Sequence, residues 1–528
     1  GAFPQVYDPT GRIIQIGMTY LEGDNVVRNH VLCLGTTKAP EGVTVSVFDT
    51  EAALLNAYAQ DIRDHDPDCI SGYNIQGFDN DWLCGRAEYI EIFHNVKEVV
   101  AAWMWARSFM AAFPKKASRD ETRTWVEGRK KAGYPEGIRW MTRGAAGPVV
   151  AAERLAVFRT EASLRAAYEY FSMQGSCDGF WQCGRWTQPC RMTTSIGKTG
   201  ADVRRFEMEG RVTIDMLPYV KENYNSKFKS FTLKNVATYF DPDTPKIDLD
   251  YGDMMAHWCS ADPGRRSVVA EYCARDCVIP GRLVHKLDVL QNLLEMSRVT
   301  GVPAGQLTQR GQQVRCMSQL FRVCSARDMV MNVRPQQQAG TYRGAVVQEP
   351  KKGYYRDVII YQDFASLYPN IMRSYNLCYS TYVYDDDLHQ LDPSAIVHYP
   401  EDPLDHDGFK VAHEESKVRP SAGKLVVRAF PLDGGRLHHV VQADQGPTLG
   451  VVPQLLNNVL AARKRAKKAM AAATDEFTRR VQNSRQLALK ITANSMYGFT
   501  GVPADIAMLP LAAVAETTTL LGRYLITL

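Results

Sequence analysis

The run DFASLYPNIM, Asp363–Met372, sets one carboxylate close behind the apolar stretch VIIY. An acid at the end of a buried strand is costly unless a cation or hydrogen-bond donors meet it. Asp363 therefore reads as a metal ligand or as the cap of a helix beginning at LYPNIM, and these residues alone do not choose. Phosphate chemistry on metals commonly uses two ions about 4 Å apart, held by more than one carboxylate. The nearest acidic run, YDDD at Tyr384–Asp387, opens a stretch rich in Asp, Pro, His and Gly and reads as a solvated turn. A second acidic set lies upstream. Asp79, in YNIQGFDNDW, stands where a strand passes into a helix, and Tyr272 and Asp276, in EYCARD, fall at i and i+4 on a helix. A phenol beside a metal-binding carboxylate can orient or deprotonate a water; an ordinary surface pair is the plainer alternative. Asp215, in TIDML, reads as a cap or structural acid.

Basic residues form a third group. Lys490, Asn494 and Tyr497 fall at i, i+4 and i+7, and Arg463 and Lys467 at i and i+4 of a preceding helix. Three cations converging on a small volume suit a triphosphate, with Arg forking onto oxygens and Lys acting as a point charge. Two solvent-exposed basic helices would give the same spacing. Cys177, Cys183 and Cys190 lie near one another, but their loose spacing favours free thiols over a zinc site.

The elements that must position these residues follow from periodicity. At 528 residues the chain exceeds one ordinary core, and two to four domains are expected. It opens with a turn and strands, RIIQIGMTYL, NHVLCLG and VTVSVF, then a helical EAALLNAYAQDIRDHDPD, so the fold class reads as α/β (α+β). Residues 88–178 show no motif and read as an insertion. GRVTIDMLPYV is a strand entering a helix, and residues 267–300 are helical with a break at Pro280. TYRGAVVQEP and RDVIIYQDFASLYPNIM read as strands or turns. VPQLLNNVLAARKRAKKAMAAA and TDEFTRRVQNSRQLALKITANSMYG are two helices in an antiparallel hairpin, with Thr474 as N-cap. The net charge of +4 is uneven: residues 96–160 hold 13 Lys/Arg against 6 Asp/Glu, and residues 450–528 hold 10 against 4. Local basic faces on a nearly balanced chain fit a polyanion held along a defined path. Twelve scattered cysteines fit a reducing compartment. No apolar stretch is long enough to span a bilayer, GAFPQVYDPTG carries no secretory signal, and both ends read as cut from something longer.

Together these pieces resemble family B DNA polymerases of the replicative type, with wording nearest to the eukaryotic delta-like type and to large DNA viruses. DFASLYPNIM looks like the palm motif A and KITANSMYGFTG like the fingers motif B. YRGA, Tyr342–Ala345, looks like the Y-x-G-G/A element between exonuclease and polymerase modules. GYNIQGFD and YCARD look like the second and third exonuclease motifs, and all stand in the family's order. The resemblance implies an RNase H-like 3′–5′ exonuclease domain over 1–290, with an insertion at about 88–178. A linker and first palm part would fill 291–452, an antiparallel two-helix fingers hairpin 453–500 and a palm continuation 501–528, with the thumb absent. It implies dNTPs and primer–template DNA as substrates and Mg²⁺, two per site, or Mn²⁺. A sliding clamp or processivity factor would act through regions outside the chain, and no membrane is involved. The setting would be intracellular, in a nucleus or a cytoplasmic viral factory.

By the same resemblance, Asp363 and the main-chain carbonyl of Phe364 bind catalytic metals. The backbone at Ser366 and Leu367 meets the triphosphate, and Tyr368 lies under the sugar and excludes a 2′-hydroxyl. Arg463, Lys467 and Lys490 hold the β- and γ-phosphates, Asn494 supports them, and Tyr497 packs at the nascent base pair. Tyr342 and Gly344 touch the template backbone. Asp79, Asp276 and Tyr272 serve a two-metal hydrolysis. Two family elements are missing: a D-x-E before FPQVYDPTG and a Y-G-D-T-D-S hairpin after AETTTLLGRYLI. The 528 residues alone are therefore expected to polymerise and to hydrolyse DNA negligibly. A non-catalytic nucleic-acid-binding remnant is the alternative, which the retention of Asp363, Lys490 and Tyr497 disfavours.

Overall fold

A computed structural model describes residues 5–95, 157–158, 160–185, 190–196, 202–331, 342–360, 362–417, 425–442, 449–503 and 506–527. The chain divides into two compact units, Gly1–Val289 and Leu290–Leu528.

In the first unit, β1 (Gln15–Glu22) and β2 (Asn25–Leu34) form an antiparallel hairpin, and β2 pairs in parallel with β3 (Thr44–Phe48). The tight turn uses Gly23 at φ 62°, a conformation a side chain disfavours. β4 (Cys69–Gly72) is parallel to β7 (Val212–Asp215), and β5 (Arg191–Ile196) and β6 (Asp202–Glu207) form a further hairpin. Helix Glu51–His65 starts at Thr50, whose hydroxyl accepts from Ala53 N. It packs Leu54, Leu55 and Ile62 against Tyr89, Ile90 and Phe93 of helix Asp79–Asn95 in one apolar cluster. Phe158 and Phe171 fill the same cluster, so the flanks of the expected insertion belong to this core. Its middle, residues 96–156, lies outside the described residues. Within the core Arg86 is paired with Glu51 at 2.5 Å, both fully buried. Arg86 also donates to the carbonyls of Val6 and Asp8, and Glu51 accepts from Ile13 N and Tyr170 Oη. One ion pair thus fastens the N-terminal segment to two helices.

Helix Pro263–Lys286 runs unbroken through Pro280. The expected break there does not occur: a proline removes one hydrogen bond, and the apolar residues Ile279, Leu283 and Val284 around it are buried. The turn comes instead at Asp288, in the left-handed region at φ 51°.

The second unit holds a four-stranded sheet in the order β8 (Tyr382–Val383), β11 (Arg436–Val441), β10 (Val427–Leu432), β9 (Ile396–His398). Helices Gln312–Ser325, Leu367–Ser374, Val451–Ala472, Glu476–Thr500 and Ala512–Thr527 share a core that includes Leu320, Ile371, Leu456, Met496 and Leu521. The expected helical pair is present. Its second helix is capped by Asp475, which accepts from Thr478 N at 2.7 Å, one residue later than Thr474. The strand expected before Asp363 is not there. Residues 342–360 carry no regular structure, and Val358, Ile359 and Ile360 are exposed. An apolar run becomes a buried strand only where a neighbouring strand takes its hydrogen bonds, and the described sheet gives this one no partner.

Candidate functional site

In the first unit the chemistry gathers around helix Pro263–Lys286. Asp215, at the end of β7, is buried and fully engaged. Its Oδ1 accepts from Asn74 N at 2.8 Å and Leu217 N at 3.1 Å, and its Oδ2 from Gln76 N at 3.0 Å. It is the structural cap the sequence indicated, and it does more: it shapes the turn after β4 that delivers Asp79 to the start of its helix. Asp79 has solvent at its surface, yet the protein packed around it pushes its carboxyl up to about 6, with the Asp215 charge adding to this.

Tyr272 and Asp276 lie on one face of their helix, as spaced. Asp276 Oδ2 meets Lys246 Nζ at 2.5 Å, and its Oδ1 is buried with no hydrogen-bond partner. Lys246 Nζ sits 4.9 Å from the Tyr272 ring centroid. Burial works against the Lys246 ammonium, but Asp276 and the Tyr272 hydroxyl outweigh it and raise its pKa. The Cys273 thiol, between these residues, is pushed up by its bond to Cys277 and by burial, and the charges of Asp276 and Asp79 both contribute. Asp276 and Tyr272 meet around Lys246, and the Asp79 charge is felt at the Cys273 thiol on the same helix. The unpartnered buried Oδ1 of Asp276 is an oxygen that a cation could take up. Among the described residues no group of three or more His, Cys, Asp or Glu forms a complete metal cage. That includes Cys177, Cys183 and Cys190, so the zinc alternative gains no support.

In the second unit three tyrosines meet. Tyr368 and Tyr497 rings are 4.5 Å apart, tilted by 43°, and burial first, then the nearby Tyr342 hydroxyl, raises the Tyr497 pKa. Two glycines make room for them. A Cβ on Gly501 would lie 2.4 Å from Tyr342 Oη, and one on Gly522 would lie 3.0 Å from Tyr368 Cε1. The backbone beyond Tyr342 is clamped. Arg343 N donates to Asp433 Oδ2 at 2.7 Å. Arg523 Nη1 donates to the carbonyls of Arg343 and Gly344 at 2.9 and 3.0 Å. Thr519 Oγ1 donates to the Arg343 carbonyl. Glu516, buried, accepts from Asp433 N and pairs with Arg436 at 3.0 Å.

Asp363 and Phe364 are exposed. Ser366 turns the chain at φ 53°, and the Leu367–Ser374 helix follows it. Asn370 closes this turn, its side chain donating to the Ala365 carbonyl at 2.6 Å. Lys490 and Asn494 are exposed along one face of their helix, and Lys467 is exposed on its partner. Arg463 is half-buried, with an unpartnered Nε. Asp385 and Asp386 are exposed in a short 3₁₀ turn, in keeping with a solvated acidic run.

The profile of DNA polymerase family B matches residues 302–528, and that of the DNA polymerase family B exonuclease domain matches residues 1–125. The chain belongs to DNA polymerase family B. Its relatives include the DNA polymerase delta catalytic subunits of Bos taurus, 32% identical over 527 residues, and Oryza sativa subsp. japonica, 31% over 530, each spanning 100% of this chain and 37% of the relative. That of Candida albicans is 35% identical over 320 residues, 60% of this chain and 27% of the relative. The chain thus spans little more than a third of the length of the first two of these curated relatives. These relatives are eukaryotic, so they support the delta-like side of the resemblance and add nothing to the viral side.

Family B membership leaves several residues that sequence reasoning passed over. Lys246 meets Asp276 across 30 positions, and nothing local announces it. Glu516, Thr519 and Arg523 had a signal: polar residues at i, i+3 and i+7 on an otherwise apolar helix mark a buried network.

Proposed function

We propose that this chain supplies a DNA-directed DNA polymerase with its nucleotide-contacting surface and with much of a 3′–5′ proofreading exonuclease. The whole polypeptide would add dNTPs to a primer 3′ end. The observation that carries this reading is that Tyr368 packs on Tyr497 while the Tyr342 hydroxyl closes on Gly501, four residues beyond Tyr497, so residues from three motifs come to one region. On this reading the first unit is the RNase H-like exonuclease domain. Residues 291–452 are linker and palm, the helical hairpin at 453–500 is the fingers, and 501–528 continue the palm.

The Tyr368 ring, held against Tyr497 and Gly522, is the floor under the deoxyribose and leaves no room for a 2′-hydroxyl. Backbone N–H groups at Ser366 and Leu367 take triphosphate oxygens at the start of a helix. Lys490, Lys467 and Arg463 neutralise the β- and γ-phosphates, with Asn494 beside them. Tyr342 and Gly344 touch the template backbone, with Arg523 holding the Arg343 and Gly344 carbonyls. In the exonuclease, Tyr272 orients the attacking water and Lys246 steadies Asp276. Divalent ions, magnesium or manganese, would be held by Asp363 and the Phe364 carbonyl at one centre and by Asp79 and Asp276 at the other. They would supply charge at the attacking and leaving oxygens.

The 528 residues alone should bind primer–template with an affinity that falls steeply with salt, and extend it negligibly. Lys490→Ala should weaken dNTP-dependent retention of the complex about tenfold. Robust extension by this chain would refute the expected inactivity. Coding sequence on either side decides the larger claim: an upstream D-x-E and a downstream D-T-D support it, and stop codons in their place would sink it.

A further inference from the structure

The Cys183–Cys190 pair has no part in either site. Cys183 is fully buried, Cys190 is 4% exposed, and their Sγ atoms stand 3.4 Å apart across a separation of seven positions. The surrounding framework holds them there. Cys190 N donates to the Trp181 carbonyl at 2.6 Å, and Arg211 Nε to the Cys183 carbonyl at 2.9 Å. Arg185, two residues on, is pinned to Asp66 and Asp68, each at 2.7 Å. Gly184 lets the sulfurs approach, since a Cβ there would lie 3.3 Å from Cys190 Sγ. No third ligand makes this a metal site among the described residues. The bond from Cys183 lowers the Cys190 pKa, while that bond and burial raise Cys183. The contact therefore favours a thiolate at Cys190 over one at Cys183.

We propose that Cys183 and Cys190 form an oxidisable dithiol that closes to a disulfide on reaction with hydrogen peroxide. The Cys190 thiolate attacks a peroxide oxygen, the O–O bond breaks, and the released hydroxide takes up a proton. Cys190 is left as a sulfenic acid and one water departs. The Cys183 sulfur then attacks the Cys190 sulfur, the S–O bond breaks, and a second water leaves with the Cys183 proton. The two thiols lose two electrons and two protons, and the peroxide becomes two waters. The bridge ties the Phe180–Gln182 turn covalently to the start of β5, whose partner strand β6 carries the Phe206 ring on which Phe180 already stacks at 5.4 Å.

The test treats the full 528-residue chain with hydrogen peroxide, alkylates the remaining thiols, digests without reductant and maps the peptides by mass. The expected product is a linked peptide containing Cys183 and Cys190, about 2 Da lighter than its two thiol halves together and released by dithiothreitol. Cys190→Ser should abolish the link. Because the deciding measurement is made on the unaltered chain, a folding defect in that variant does not bear on it. Both cysteines recovered as alkylated thiols or as unlinked sulfinic acids, at a dose that oxidises the exposed Cys259, would overturn the proposal. A link from Cys183 to any other cysteine would overturn it equally.

Discussion

Asp276 and Asp363 are both acids that the family resemblance makes metal ligands, yet the two units hold them differently. Asp276 rides on a 24-residue helix, has Tyr272 one turn away, and is met by Lys246. Asp363 follows an irregular stretch and stands exposed. A helix positions its side chains by its own hydrogen bonds, so residues at i and i+4 meet wherever the helix forms. A strand-borne acid is placed only by the strands beside it. The same division runs through the electrostatics. The first unit holds a fully enclosed Arg86–Glu51 pair, whereas Arg436–Glu516, one of the pairs in the second, has its arginine half in solvent.

The largest expected effect tests that last contrast. All eight tryptophans lie at or before Trp258, so tryptophan emission reports the first unit alone. Glu51→Ala strips the Arg86 guanidinium of its counter-charge and leaves Ile13 N and Tyr170 Oη without their acceptor. A loss of about 3–5 kcal/mol is expected in the tryptophan-detected urea transition. Glu516→Ala should cost the second unit about 1–3 kcal/mol, followed by circular dichroism. Equal losses would erase the distinction between enclosed and half-open pairs.

Acid should separate the units next. His438 is buried with Nδ1 2.6 Å from Thr517 Oγ1 and Nε2 unpartnered, and burial pushes its pKa from 6.5 down to about 3. The unfolded chain therefore binds the proton first. The second unit keeps this contribution above pH 6.5 and loses it as pH falls toward 3, at up to about 1.4 kcal/mol per pH unit. In the first unit, burial acts to raise the Asp241 carboxyl, but Arg282 at 2.7 Å and Lys286 at 2.5 Å outweigh it and hold it below 3.8. That contribution survives until the pH falls below the carboxylate range. Between pH 6 and 4.5, circular dichroism should show the second unit melting while tryptophan emission holds, and His438→Gln should flatten the slope. Simultaneous melting of both units across that interval would contradict this.

What could be read from the sequence divides along the same line. The two-helix hairpin, the face carrying Lys490, Asn494 and Tyr497, the Tyr272–Asp276 pair and the capping role of Asp215 all follow from local spacing, and all are present. The cap at Asp475 rather than Thr474 is a one-residue slip between two residues that both cap well. The strand before Asp363 failed because VIIY is apolar enough for a strand, while pairing depends on chain elsewhere. Lys246, Arg523 and Glu516 went unread because their partners lie 30, about 180 and about 80 positions away, and no periodicity spans such distances. The approach of Tyr342 to Tyr497 went unread, since the family resemblance gave the two residues separate roles.

The smallest effect is the sharpest statement of the contrast. Asp276→Asn should cost the first unit about 1 kcal/mol, since it weakens the partner of a largely covered Lys246. Asp363→Asn should shift the second unit by no more than about 0.5 kcal/mol, because an exposed carboxylate gives up little when its charge is removed. If the two acids serve the same chemistry, their equal importance must then appear only when substrate is present. Asp363→Asn should leave the melting curve in place and still weaken the metal-dependent part of dNTP retention on primer–template. A melting shift for Asp363→Asn as large as that for Asp276→Asn would mean that Asp363 is held by contacts the folded chain already makes, and its reading as an exposed acid after an irregular stretch would fall.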